Sequence, residues 1–236
     1  MKILAVDSTA VTASAAVTEN DKLLAEFTVL NGNTHSETLL PMVESVLKTL
    51  SLSVSDIDLF ACSAGPGSFT GVRIGAATIK GLAFGKQKPC VGVSTLEALA
   101  YNLVGVKGLI CPVMNARRSQ VYTALFRSDG KALTRVMEDS AMSISELDAL
   151  LGEMNEPVSF CGDGYDVTLA ELKLCKYVDV PERMRCQSAY SVAMIALEKH
   201  KNGEVVSDKE LVSTYLRPCQ AEREREERLK AQENNI

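Results

Sequence analysis

Asp7, Ser8 and Thr9 follow directly on the apolar run KILAV (2–6). A carboxylate and two hydroxyls at the exit of a buried strand suit a phosphate clamp. Backbone N–H groups of the turn would hold phosphate and the aspartate would organise Mg²⁺. A second candidate is AGPGSFTGVRIG (64–75), with four glycines and one proline in twelve residues. Gly65, Gly67 and Ser68 stand where the N-terminus of a following helix favours an anion. The stretch does not match G-x-x-x-x-G-K-[ST], because Gly67 to Gly71 encloses three residues and no lysine follows. Its other reading is packing. Gly71 and Gly75, like Ala77 and Gly81, are four apart and share a helix face that another helix could approach closely. Glycine costs about 1 kcal/mol against alanine inside a helix, so a close contact has to compensate. Packing, within the chain or between subunits, is the favoured reading.

Other chemistries are poorly supplied. Each of the two histidines, His35 and His200, lacks a second histidine at i+3 or i+4, and both are expected at the surface. The seven cysteines are odd in number and none falls in a C-x2-4-C spacing, so buried reduced thiols are expected rather than disulfides or zinc. No Ser or Cys sits in a nucleophile elbow. A net charge of -5 without a basic stripe argues against an unaided grip on nucleic acid. No run of about 18 apolar residues exists, and the four apolar residues before Asp7 are too few for a secretion signal; a cytoplasmic protein is expected.

The elements that must position these residues read in order. KILAV, ASAAV (13–17) and LLAEFTV (23–29) form a three-strand meander with a turn at Asn20-Asp21. THSE (34–37) has capping-box spacing ahead of Leu39, Leu40, Val43, Val46, Leu47 and Leu50, with Pro41 inside, so the helix starts near Ser36 or bends. A strand at 58–63 leads into the glycine-rich stretch and its helix. A strand at 89–93 leads into a helix capped by Ser94. The pattern then restarts: when Val6 is laid on Met114 without a gap, the second strand falls on VYTAL (121–125) and Asn20-Asp21 on Ser128-Asp129. A helix after Ser143, a strand at 158–161, a turn at Gly162-Asp163-Gly164, a helix near 167–172, a strand near 177–180 and a helix at 189–199 complete the second unit. The sequence therefore predicts an α/β protein of two lobes, 1–107 and 108–218. The charged tail 219–236 is helical or disordered, with Glu224/Arg228 and Glu226/Lys230 as i,i+4 pairs. The second unit's equivalent of Asp7 is Asn115, followed by Ala116, Arg117 and Arg118, so the clamp is half-built.

GPGSFTGVRIG (65–75), HSETLLPM (35–42), VGVSTL (91–96), NARRSQVY (115–122) and YLR (215–217) together resemble the TsaB (YeaZ) family, over nearly the whole chain. The resemblance implies the actin/hsp70/sugar-kinase (ASKHA) fold in two duplicated lobes, each a mixed sheet flanked by helices. It implies a role in forming N6-threonylcarbamoyladenosine at position 37 of tRNAs that read codons beginning with A. There TsaC makes threonylcarbamoyl-AMP, TsaD transfers the group, TsaE is an ATPase, and TsaB is the non-catalytic paralogue and scaffold of TsaD. The metal-binding H-x-x-x-H of TsaD falls on Thr95 and Leu99, neither of which replaces an imidazole. The family often has Asp where this chain has Asn115. The implied partners are a TsaD-like subunit, a TsaE-like ATPase and, for the free protein, a second copy, with tRNA reached only through the complex. Leu40, Val43, Gly71, Arg73, Ile74, Gly75 and Thr78 are the implied interface. Asp7, Ser8 and Thr9 remain a degenerate phosphate turn, with ATP or ADP expected only at the partner interface. The alternatives are a stand-alone ATPase or kinase of the same fold, and a glycoprotease-like metallopeptidase.

Overall fold

In a computed structural model, residues 1–30, 32 and 34–217 are described; the tail 219–236 lies outside them. The first unit contains β1 (Lys2–Asp7), β2 (Ala13–Glu19), β3 (Lys22–Val29), α1 (His35–Thr49), β4 (Leu59–Gly65), α2 (Phe69–Ala83), β5 (Cys90–Ser94) and α3 (Thr95–Tyr101). The second contains β6 (Gly108–Asn115), β7 (Gln120–Ser128), β8 (Leu133–Ser143), α4 (Ile144–Met154), β9 (Val158–Cys161), α5 (Tyr165–Glu171), β10 (Tyr177–Val178) and α6 (Ala189–Lys201). The sheets run β3-β2-β1-β4-β5 and β10-β9-β6-β7-β8. Read from the opposite edge, the second repeats the first, strand for strand. In both, the meander is antiparallel and the last two strands are parallel. This is the duplicated ASKHA arrangement.

Ile3 to Val6 of β1 are all apolar because both faces of the strand are covered. Leu4 and Val6 pack beneath α1 and α2, whereas Ile3 and Ala5 pack on the other face against Val192 and Ile195 of α6. The second sheet opens at Gly108, but the helices do not follow that division. Leu96, Leu99 and Ala100 of α3 join the core of the second sheet beside Ile110 and Phe126. α6, from the second unit, covers the first sheet. The two exchanged helices meet where Ser191 Oγ donates to Asn102 Oδ1 at 2.6 Å and Asn102 Nδ2 donates to the Cys186 carbonyl at 2.7 Å.

α1 starts at His35 and carries Pro41 inside it. Its box is not reciprocal: Thr34 Oγ1 donates to Glu37 Oε2 rather than accepting from the helix backbone. His35 is half-buried, not free at the surface, and its Nε2–H donates to the Ala10 carbonyl, tying α1 to the β1–β2 turn. Beyond α6 the chain returns as a strap along β5. Cys90 and Val206 exchange both backbone bonds, Lys80 Nζ donates to the Lys209 and Leu211 carbonyls, and the Leu211 side chain is buried in the first core. The strap covers the β5 edge, which would otherwise present open backbone groups.

Candidate functional site between the two turns

The β1–β2 turn and the β6–β7 turn face a cleft of about 690 Å³, closed on a third side by the start of α2 and on a fourth by the strap at Thr214–Arg217. The first turn is inwardly engaged. Asp7 is buried; its Oδ1 accepts from the Thr9 N–H at 2.9 Å and the Thr9 hydroxyl at 2.7 Å, and its Oδ2 accepts from Ser63. Burial pushes its carboxyl above the usual range, and these hydrogen bonds only partly oppose that. Ser8 Oγ donates to the Gly71 carbonyl at 2.8 Å. Of the three phosphate-turn candidates, only Thr9 lines the cleft.

Glycine makes this engagement feasible. A Cβ on Gly71 would lie 2.0 Å from the Ser8 carbonyl oxygen, and one on Gly75 would lie 2.9 Å from Ser8 Oγ. The bare face of α2 therefore packs on the β1–β2 turn, not on a second helix as its spacing suggested. Gly65, with φ +115°, is left-handed, and a Cβ there would meet the Thr214 oxygen of the strap at 2.2 Å.

The second turn is built differently. Asn115 Oδ1 accepts from the Arg117 N–H at 2.8 Å, and the Asn115 N–H donates to Asp163. Arg117, Arg118 and Ser119 have φ of 64°, 56° and 52°. Three successive non-glycine residues in the left-handed region cost roughly 1 kcal/mol or more each. Arg117 and Arg118 are exposed and line the cleft, as do Tyr122 and Asp163. Burial raises the Asp163 carboxyl, against the Asn115 N–H that lowers it. From the strap, Arg217 donates to Gln120 Oε1 and lies 5.8 Å from the centre of the Tyr122 ring.

The cleft thus has neither a free carboxylate on the first turn nor one on the second. Among the described residues no three His, Cys, Asp or Glu side chains cluster as metal ligands. Thr95 and Leu99 are buried.

The chain matches the family model described as "TsaD: tRNA N6-adenosine threonylcarbamoyltransferase" over residues 29–205. It is 36% identical over 162 residues to the tRNA threonylcarbamoyladenosine biosynthesis protein TsaB of Bacillus subtilis (strain 168), covering 69% of this chain and 71% of that one. It is also 36% identical to the Escherichia coli (strain K12) protein of the same name over 149 residues, 62% of this chain and 64% of that one. The chain belongs to the TsaB/YeaZ family. The solved YeaZ from Pseudomonas aeruginosa shares the fold, with a TM-score of 0.78 at 24% identity over 91% of this chain and 99% of that one.

The interface residues implied by the family resemblance separate into two groups. Leu40 is 54% exposed, Arg73 is exposed, and Ile74 and Thr78 are half-exposed. Val43, Gly71 and Gly75 are buried and face inward, so they cannot touch a partner directly. The correction has a simple cause: a helix buries the face its own sheet needs, and Val43 lies on that face of α1 with Leu39 and Val46. Sequence reasoning also missed a stack on α2. The Arg73 guanidinium lies 3.8 Å from the centre of the Phe69 ring, its Nε donates to Tyr215 Oη at 3.0 Å, and the two rings are 5.1 Å apart. The only sequence signal for that stack was three interaction-prone side chains, at 69, 73 and 215.

Proposed function

We propose that this chain is the non-catalytic scaffold subunit of the complex that forms threonylcarbamoyladenosine in tRNA, docking on a TsaD-type catalytic subunit through the outer faces of α1 and α2. The observation that carries the reading is the pair Thr95 and Leu99. The family resemblance lays the catalytic paralogue's metal ligands on these two positions, and both side chains are packed in the core. The names of the relatives, which place them in tRNA threonylcarbamoyladenosine biosynthesis, support the pathway. The exposed Leu40, with Ile74 and Thr78 on the neighbouring helix, supports the docking face. A TsaE-type ATPase and tRNA join through the catalytic subunit, and the same face pairs two copies when that subunit is absent.

The test is co-purification with a TsaD-type chain and a reconstituted tRNA-modification assay. Leu40→Asp should weaken association about tenfold or more while leaving the circular dichroism and melting of the free chain unchanged. A folded Leu40→Asp protein that associates as the wild type does would sink the docking face. Full modification by the catalytic subunit without this chain would sink the scaffold role.

A further inference from the structure

One cation on the outer face of α2 is held in place before any partner arrives. The Arg73 guanidinium lies 3.8 Å from the centre of the Phe69 ring, and its Nε–H donates to Tyr215 Oη at 3.0 Å. Tyr215 is itself fixed. The N–H of Thr214 donates to the Ala64 carbonyl at 2.7 Å, Leu211 of the strap is buried in the first core, and the Tyr215 and Phe69 rings are 5.1 Å apart. The anchor uses only Nε. Among the described residues the two terminal nitrogens of Arg73 make no hydrogen bond or ion pair, and the exposed Glu37 and Glu44 of α1 do not pair with it. Both rings border the cleft. Arg73 does not; it is exposed on the same stripe of α2 as Ala77, one turn on.

We propose that Arg73 recognises a carboxylate of the catalytic partner through its two terminal nitrogens, with Tyr215 and Phe69 as positioning residues that hold the guanidinium ready. The proposal rests on docking through α1 and α2 and adds the chemistry that the partner presents there. A guanidinium offers paired N–H donors that match two carboxylate oxygens, and such charge-assisted pairs are strong and directional. Binding through a long cation loses side-chain freedom. In this chain much of that freedom is already lost before docking, through the stack and the Nε bond. The surroundings favour a protein anion over the phosphates of RNA. Glu37 and Glu44 on the neighbouring helix would repel a polyanion, and the chain carries a net charge of -5. Leu40, 54% exposed on α1, offers apolar contact of the kind that surrounds a charged pair in a protein interface.

The test is the affinity of the full-length chain for a TsaD-type subunit, measured by calorimetry at several salt concentrations. Arg73→Ala should lose about tenfold or more and flatten the salt dependence. Arg73→Lys, which keeps the charge without the fork, should recover only part of the loss. Tyr215→Phe keeps the ring and removes the acceptor; it should lose about threefold in the wild-type background and nothing in the Arg73→Ala background. An equal loss in both backgrounds would make Tyr215 merely structural and overturn its positioning role. Circular dichroism and melting of each free variant keep lost recognition apart from lost folding. If Arg73→Ala binds as the wild type does while Leu40→Asp does not, the proposal is overturned and the docking face stands. If both bind normally, the docking face falls as well. Weaker retention of tRNA by the assembled complex at unchanged subunit affinity would assign the fork to RNA. Lost self-association at unchanged subunit affinity would assign it to a second copy. Either result overturns the proposal.

Discussion

The β1–β2 and β6–β7 turns occupy equivalent places in two sheets of the same strand order, yet their side chains point opposite ways. Asp7 and Ser8 are directed into the protein and held by Thr9, Ser63 and Gly71. Arg117 and Arg118 are directed out of it, into the cleft. Each lobe also brings a glycine against a backbone carbonyl, at a different place in each. Gly71 packs on the Ser8 carbonyl in one lobe, and Gly162 packs on the Val113 carbonyl in the other, where a Cβ would lie 2.1 Å from the oxygen. Gly71 is in α2 and meets the turn after β1, whereas Gly162 follows β9 and meets the interior of β6.

The comparison is tested most severely at Gly71. Gly71→Val should cost about 3 kcal/mol, the upper end for overpacking, because the clash is with backbone. Chemical denaturation would measure it, and a loss under about 1 kcal/mol would mean that the first turn is not held by this contact.

The next test contrasts one buried aspartate from each lobe. Burial raises Asp7 above the ordinary 3.8, so the stability it contributes is complete below that pH and is lost as pH rises through the raised value. For Asp148 burial pushes upward too, but the backbone N–H groups of Cys175, Lys173 and Leu174 outweigh it and the net shift is downward. Its contribution is present above 3.8 and is lost as pH falls through the lowered value. Asp148→Asn should cost about 2 kcal/mol at neutral pH, because an amide NH₂ then faces backbone donors, with the deficit fading in acid. Asp7→Asn should show the opposite trend: its deficit against wild type shrinks as pH rises above 3.8. Melting curves across pH check both, and parallel trends would erase the distinction.

The smallest effect is expected at Asn115→Asp, within about 0.5 kcal/mol. The carboxylate can still accept from Arg117 and stays near solvent. A large change would show that the second turn, like the first, is part of the packing.

The strands and their duplication were legible in the sequence because alternating or continuous apolar runs record which faces are buried. The restart at Gly108 was legible for the same reason. The exchange of α3 and α6 was not, since an amphipathic stripe shows that a helix has a covered face without showing which sheet covers it. Gly71 and Gly75 were rightly read as marking a close approach, but their spacing could not name the partner, which is the Ser8 backbone and side chain. The sequence offered Asp7 as part of a phosphate turn and did not show its engagement inside the fold, because Ser63, which donates to it, is 56 positions away.

The exchange of α3 and α6 also bears on the order of synthesis. Val192 and Ile195, which cover Ile3 and Ala5, are made long after the first sheet's own strands. At roughly 5–20 residues per second, the chain between Tyr101 and Ala189 takes some seconds to appear. Throughout that interval the nascent first sheet has one apolar face without its cover, and that face is where a ribosome-associated chaperone would find its binding surface.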